Sequence, residues 1–227
     1  MKMIQLKCLV ACVSALCGAG RLWAQTAEQW DFKQGDLTAT LGGSPLQFVD
    51  GPLGATAAGT RFGLTSSLGI PAINGTNANV MEFPASNAGM GYEMPTPADA
   101  NGGGSLVNEY TIIMDVLFPT NTVGRVRPLV QTDDGIITPD ADLVVDSSGG
   151  IGAPPGPFNG SIQPNVWYRI GFSVTASEID EYINGVKVGV QSSGGLDNRF
   201  ALTPGDYAQL FQNSTTNGAS PGYVSSI

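Results

Sequence analysis

Carboxylates, hydroxyls, tyrosines and lysines are the side chains of this sequence that could do chemistry. No histidine occurs in its 227 residues, and all three cysteines (Cys8, Cys12 and Cys17) precede Gly20. Ser-His-Asp and Cys-His catalysis and histidine-ligated zinc are thereby excluded. Two acid clusters remain. Glu178-Ile179-Asp180-Glu181 could supply the paired carboxyls that glycoside hydrolysis needs. Strand alternation sends Glu178, Asp180 and Tyr182 to one face and Glu181 to the other, so acid and nucleophile would not share a cleft. The second cluster is Asp133, Asp134, Asp140 and Asp142, in a Gly/Pro-containing loop after Gln131 and Thr132. Hard cations take several oxygen ligands at about 2.3–2.6 Å, which makes these four the candidate Ca²⁺ ligands. Their spacing is not that of the twelve-residue Ca²⁺ loop, and a solvated acidic loop with local caps is the simpler alternative.

Sugar recognition uses aromatic faces set beside amides and acids. Trp30 and Trp167 sit among apolar strand neighbours and read as core. Tyr92, Phe158, Tyr207 and Tyr223 lie nearer loops and form the candidate ligand platform. Gly102-Gly103-Gly104 lacks the strand, helix and lysine of a phosphate loop and reads as a flexible loop.

The elements that must position these groups are strands. Val166 to Thr175 alternates apolar and polar residues, the period of a half-buried strand. Ile179 to Val188 reads as two strands joined at Asn184-Gly185, a turn whose two positions need positive φ. Further strands are predicted near 28–33, 37–41, 46–49, 79–83, 110–118, 126–132, 141–146 and 207–211. Tyr110 to Phe118 is the most apolar and belongs at the centre of a sheet, ended by Pro119. No helical period, heptad or repeat interrupts this pattern, and Gly/Pro/Asn/Asp/Ser clusters separate the strands. The fold class is all-β, an antiparallel two-sheet sandwich, in one domain over about 25–227.

Residues 1–24 read as a secretory signal: Lys2 and Lys7, a small apolar run from Cys8 to Gly20, and a cut after Ala24. The run is shorter than the ~20 residues that a membrane span requires. The mature chain would carry no cysteine. Lys2, Lys7 and Arg21 would leave with the signal and no acid would, taking the net charge from −9 to −12. Such an acidic chain repels nucleic acid and anionic lipid, so neither is an expected partner. It tolerates cations and stays soluble once exported.

The order of segments resembles the laminin-G-like or concanavalin A-like jelly roll of exported bacterial proteins. The similar residues are Trp30-Asp31-Phe32, Asn108 to Phe118, Ala141 to Asp146 with Gly149 to Gly152, Pro164 to Ile170, and Tyr182-Ile183-Asn184-Gly185. They span nearly all of the chain after residue 24. The resemblance implies two packed antiparallel sheets and a binding module more often than an enzyme, sometimes with a Ca²⁺ site on the rim. Laminarinase-type glucanases of the same jelly roll carry Glu-x-Asp-x-x-Glu on one strand. Here Ile183 stands where the second Glu would be, and the catalytic pattern is broken. Such domains usually continue past the equivalent of Tyr223-Val224-Ser225-Ser226-Ile227, so a C-terminally shortened sequence with an exposed sheet edge is expected.

The resulting expectation is an exported, non-catalytic recognition module that binds carbohydrate or a cell-surface protein and takes Ca²⁺ as a supporting ion. The alternatives are an accessory or structural piece of a larger exported protein, and a divergent glycoside hydrolase.

Overall fold

Alternation along the sequence becomes two stacked antiparallel sheets. The structure, a computed structural model, describes residues 27–132, 141–212 and 219–227. The signal-peptide reading and Asp133, Asp134 and Asp140 therefore lie outside the described residues. The strands are β1 (Gln47–Phe48), β2 (Arg61–Leu64), β3 (Asn79–Phe83), β4 (Tyr92–Pro95), β5 (Tyr110–Leu117), β6 (Arg127–Gln131), β7 (Leu143–Val145), β8 (Ile151–Gly152), β9 (Tyr168–Val174), β10 (Glu178–Ile183), β11 (Val186–Ser192), β12 (Tyr207–Leu210) and β13 (Gly222–Ser226). A one-turn helix, α1 (Ala55–Gly59), links β1 to β2.

One sheet runs β1-β4-β12-β6-β7-β8 and the other β11-β10-β9-β5-β13-β3-β2. The two-sheet sandwich is thus the fold expected, and β5 takes the middle of the larger sheet. Its Ile112, Met114 and Val116 are buried between the sheets, while Thr111 and Ile113 face outward. Asn184 and Gly185 both adopt positive φ, 50° and 79°, as the hairpin turn between β10 and β11 demands.

Aromatic packing ties the layers together. Phe83 of β3 stacks on Phe211, which follows β12 in the opposite sheet, with ring centroids 3.9 Å apart and planes 5° off parallel. Phe118 meets Phe83 edge-on, and Tyr92 meets Phe211 in the same way. All four rings are fully buried.

The structure departs from the sequence expectations in its first described segments. Residues 28–33 and 37–41 form no strands and meet at a Gln29–Leu41 bridge and through bonds between Asp31 and Thr40. Short-range side-chain bonds hold the backbone in turns instead: Asp31 accepts from the Lys33 amide (3.2 Å) and Asp36 from the Thr38 amide (2.9 Å). Trp30 and Phe32 are core plugs even so. Tyr223 lies in the last strand. β13 lies between β5 and β3 and pairs with both. Trp30 and Ile227 exchange backbone hydrogen bonds of 3.1 and 3.0 Å. The edges of this sheet are β11 and β2. No helix among the described residues is long and apolar enough to cross a membrane.

Candidate functional site

The outer face of β10, β9 and β5 brings together side chains far apart in sequence. Register sets them in rows. Tyr182, Gly171 and Ile113 are aligned partners and form the middle row. On one side lies the row Asp180, Ser173 and Thr111. On the other, Arg169 faces Asp115, and Asn184 of the turn accepts the Arg169 amide at 2.9 Å. An apolar row is therefore bordered by two polar ones.

Gly171 opens a gap in the middle row, between the Tyr182 ring and Ile113. Neither crowding nor backbone conformation requires glycine there. A Cβ at 171 would stand 3.5 Å from Tyr182 Cβ and 3.9 Å from Ile113 Cγ1, both ordinary contacts. Glycine inside a strand costs about 0.5–1 kcal/mol relative to alanine, so what it provides here is space. The resulting depression has a volume of about 320 Å³, and Thr111, Arg169, Ser173 and Gly185 complete its lining. Ile113 is 51% exposed although it sits on the central strand.

The charges on this face are paired. Arg169 Nε and Nη2 donate to the two oxygens of Asp115 at 2.8 and 2.6 Å, and Ser226 adds a bond of 3.1 Å. Asp115 in turn raises the pKa of the Arg169 guanidinium. Lys187 Nζ lies 2.7 Å from Asp180 Oδ1, and the Tyr182 hydroxyl donates to Asp180 Oδ2 at 3.2 Å. The Lys187 contact holds the Asp180 carboxyl below its ordinary range. Thr111 donates to the Ser173 hydroxyl at 3.2 Å.

Beneath this face, on the opposite side of β10, Glu181 is fully buried. Its Oε2 accepts from Asn159 Nδ2 at 2.9 Å and its Oε1 has no hydrogen-bond partner. Burial pushes its pKa from 4.5 up to about 7, against the pull of Asn159. Gly152 and Gly189 make room for the carboxyl; a Cβ at either position would come within 3.0 or 2.5 Å of its oxygens. Alternation placed Glu181 on this face correctly, but not in solvent.

The loop aromatics proposed from the sequence do not meet. Tyr92 points inward and shares a 2.6 Å hydrogen bond with Thr60. Tyr207 is exposed on β12 and accepts from Gln47 at 3.2 Å. Phe158 is half-buried in the loop after β8, and half-buried Tyr223, in the other sheet, donates to Glu82 at 3.4 Å. Trp167, read as core, is half-buried, and its Nε1 donates to the Pro71 carbonyl at 2.7 Å. The aromatic the sequence reading passed over is Tyr182. Its signal was present, because Asp180 and Tyr182 share the face opposite Ile179 and Ile183.

Of the four proposed Ca²⁺ ligands only Asp142 is described, and both its oxygens are engaged. Oδ1 accepts from Arg199 Nε at 2.5 Å, and Oδ2 from the Thr132 amide and hydroxyl at 2.8 and 2.7 Å. Burial raises its pKa, opposed by Thr132 and Arg199. Among the described residues, no three histidines, cysteines or acids gather as a metal set.

No protein-family model matches this chain, and no curated protein does. Among solved structures it is similar to domain 4 of AbnA, an extracellular GH43 arabinanase from Geobacillus stearothermophilus, in complex with arabinotriose. The TM-score is 0.49 at 15% identity, over 87% of this chain and 91% of that one. It is also similar to Trypanosoma rangeli sialidase in complex with the inhibitor DANA, with a TM-score of 0.44, 15% identity, and 74% of this chain against 26% of that one. A third is the enzymatically active domain of bacteriophage CBA120 tailspike protein 2, with a TM-score of 0.42, 16% identity, and 79% against 27%. The chain thus spans about a quarter of the sialidase and tailspike chains.

Proposed function

We propose that the protein is an exported, non-catalytic recognition module of the laminin-G-like or concanavalin A-like kind, binding carbohydrate on the outer face of β10, β9 and β5. The observation that carries this reading is the Gly171 gap between Tyr182 and Ile113, bordered by hydroxyls, acids and a guanidinium. A pyranose or furanose ring has apolar C–H faces and a rim of hydroxyls. The middle row offers contact to the first and the outer rows offer donors and acceptors to the second. Free energy spent on a strand glycine and an uncovered isoleucine is then recovered on binding.

The acids on this face support a non-catalytic role. A glycosidase needs one carboxyl held protonated as general acid near a second carboxylate. Asp180 is ion-paired and held below its ordinary range, Asp115 is bonded through both oxygens, and the one acid here with a strongly raised pKa, Glu181, faces the interior. Ca²⁺ support is proposed for the 131–142 loop, which joins β6 to β7.

The test is a glycan and polysaccharide array probed with the wild-type protein and with Tyr182→Ala, each with Ca²⁺ and with chelator. Wild type binds, and Tyr182→Ala binds several-fold more weakly while unfolding at the same temperature, because the ring supplies the apolar contact to the sugar face. A folded wild-type protein that captures no glycan, or a Tyr182→Ala protein that binds undiminished, overturns the reading.

A further inference from the structure

We infer that this face selects neutral glycans over glycans that carry carboxylates or sulfates, and that the Arg169–Asp115 pair is the selecting element. The inference rests on the carbohydrate reading above and specifies its ligand class.

A site for acidic sugars must offer an uncompensated cation, because the ligand's anionic group has to be neutralised as it leaves water. Two cations border this groove, and each already has a carboxylate. Arg169 spends Nε and Nη2 on Asp115 in the two-pronged geometry that a uronate would require. Lys187 sits against Asp180. An incoming carboxylate would have to expel one of these partners or lie beside it, and like charges set together across an interface cost several kcal/mol. The third ion pair of the same outer face, Arg61–Glu82 at 3.1 Å, continues the pattern beyond the groove on β2 and β3. Over longer distances the protein as a whole, at −9, repels polyanions.

Neutral sugars meet a different surface. An ion pair keeps unused donors on the guanidinium and unused acceptor lone pairs on the carboxylate. Together they can bond to a pair of adjacent hydroxyls with no net charge to cancel. Arg169 is well placed for this, since its side chain is 61% exposed while Asp115 fixes the orientation of its guanidinium. Ser173 and Thr111 supply hydroxyls on the far side of the gap.

The experiment is calorimetric titration of the wild-type protein with matched pairs of oligosaccharides, neutral and with the primary alcohol oxidised to a uronate, at low and high salt. A neutral member binds, its uronate counterpart binds at least about tenfold more weakly, and neutral binding changes little with salt. Asp115→Asn frees the Arg169 guanidinium while keeping the side-chain shape, so this variant gains uronate affinity that salt suppresses. Equal or tighter wild-type binding of the uronate member overturns the selectivity and leaves the carbohydrate reading intact. Folded Asp115→Asn protein with no gain in uronate affinity overturns the role of the pair. Binding of neither member, with no glycan captured on the array, overturns the carbohydrate reading and this inference with it.

Discussion

Replacing Glu181 by glutamine should stabilise the protein above neutral pH and leave it nearly unchanged in mild acid. The side chain is wholly buried, and what packs against it is Phe172 of β9, Gly189 of β11, Gly152 of β8 and Asn159, none of them charged. Burial raises its pKa from 4.5 to about 7, so the folded protein holds this proton more tightly than the unfolded chain does. Stability from that difference is fully present below about pH 4.5 and is lost as pH rises through about 7. The gap between the two values corresponds to at most about 3 kcal/mol. Glutamine keeps an acceptor for Asn159 and removes the titration. Near pH 5 the variant and the wild type should therefore unfold at similar temperatures. Near pH 8 the variant should melt higher by up to about 6–12 °C, taking 2–4 °C per kcal/mol for a domain of this size. Thermal unfolding by circular dichroism at five or six pH values measures the difference directly. A wild-type minus variant difference that stays flat from about pH 5 to pH 8, or that favours wild type as pH rises, would falsify the assignment of a buried, protonated Glu181.

Other perturbations test the remaining structure. Gly171→Ala places a methyl in the gap between Tyr182 and Ile113 with contacts no closer than 3.5 Å; it should weaken glycan binding on the array while leaving Tm unchanged or slightly higher, and undiminished binding would show that the gap is not the site. Asp142→Asn weakens a buried pair with Arg199, so unfolding in urea should report a loss of about 3 kcal/mol, with and without Ca²⁺ alike. A loss seen only in Ca²⁺ would mean that Asp142 acts through a bound metal instead. Phe83→Ala removes the ring stacked on Phe211 between the sheets and should cost about 3–5 kcal/mol in the same assay; a cost under about 1 kcal/mol would mean that the layers are held elsewhere.

The larger sheet was legible because its strands obey a local rule. Alternation identified β5, β9 and β10, and Asn184-Gly185 fixed the hairpin, since φ values of 50° and 79° suit few residues other than these. β2, β4 and β8 were missed. β8 is two residues long, and β4 alternates for four residues only before ending in Pro95, too short a run to stand out. Trp30 and Phe32 were recognised as apolar but were given a strand that Asp31 and Asp36 prevent. The candidate site was half legible. Alternation says which face Tyr182 and Asp180 occupy. It does not say that Gly171 and Ile113 stand beside them, because inter-strand register between β5 and β9 joins residues almost sixty apart in sequence. Loop-adjacent aromatics carry no such register: Tyr207 lies on β12 and Phe158 in the loop after β8.

That register also accounts for the two chemistries of β10. Pairing with β11 runs regularly as far as Glu181 opposite Gly189, then slips by one residue so that Tyr182 meets Lys187. Without the slip, Tyr182 would face Val188 and Ile183 would face Lys187. The lysine would then point toward the core, and Val188 would reach the outer face. The extra residue lets Val188 and Gly189 both turn inward. Gly189 lies against the Glu181 carboxyl, and Val188 stands against the loop at Gly160. Lys187 comes out opposite Tyr182, 2.7 Å from Asp180. A single bulge thus sets a neutralised ion pair at the border of the groove and a glycine beneath the buried acid, which is the re-aiming of side chains that bulges provide near functional surfaces. Deleting Val188 removes the extra residue and leaves Lys187 opposite Tyr182 and Gly189 opposite Glu181 in an unbroken ladder. Loss of stability in that variant, measured by urea unfolding, should therefore stay close to the loss from Val188→Ala, because what is removed is the contact of Val188 with the loop at Gly160. A deletion that costs much more than Val188→Ala would mean that the bulge itself holds Lys187 and Gly189 in place.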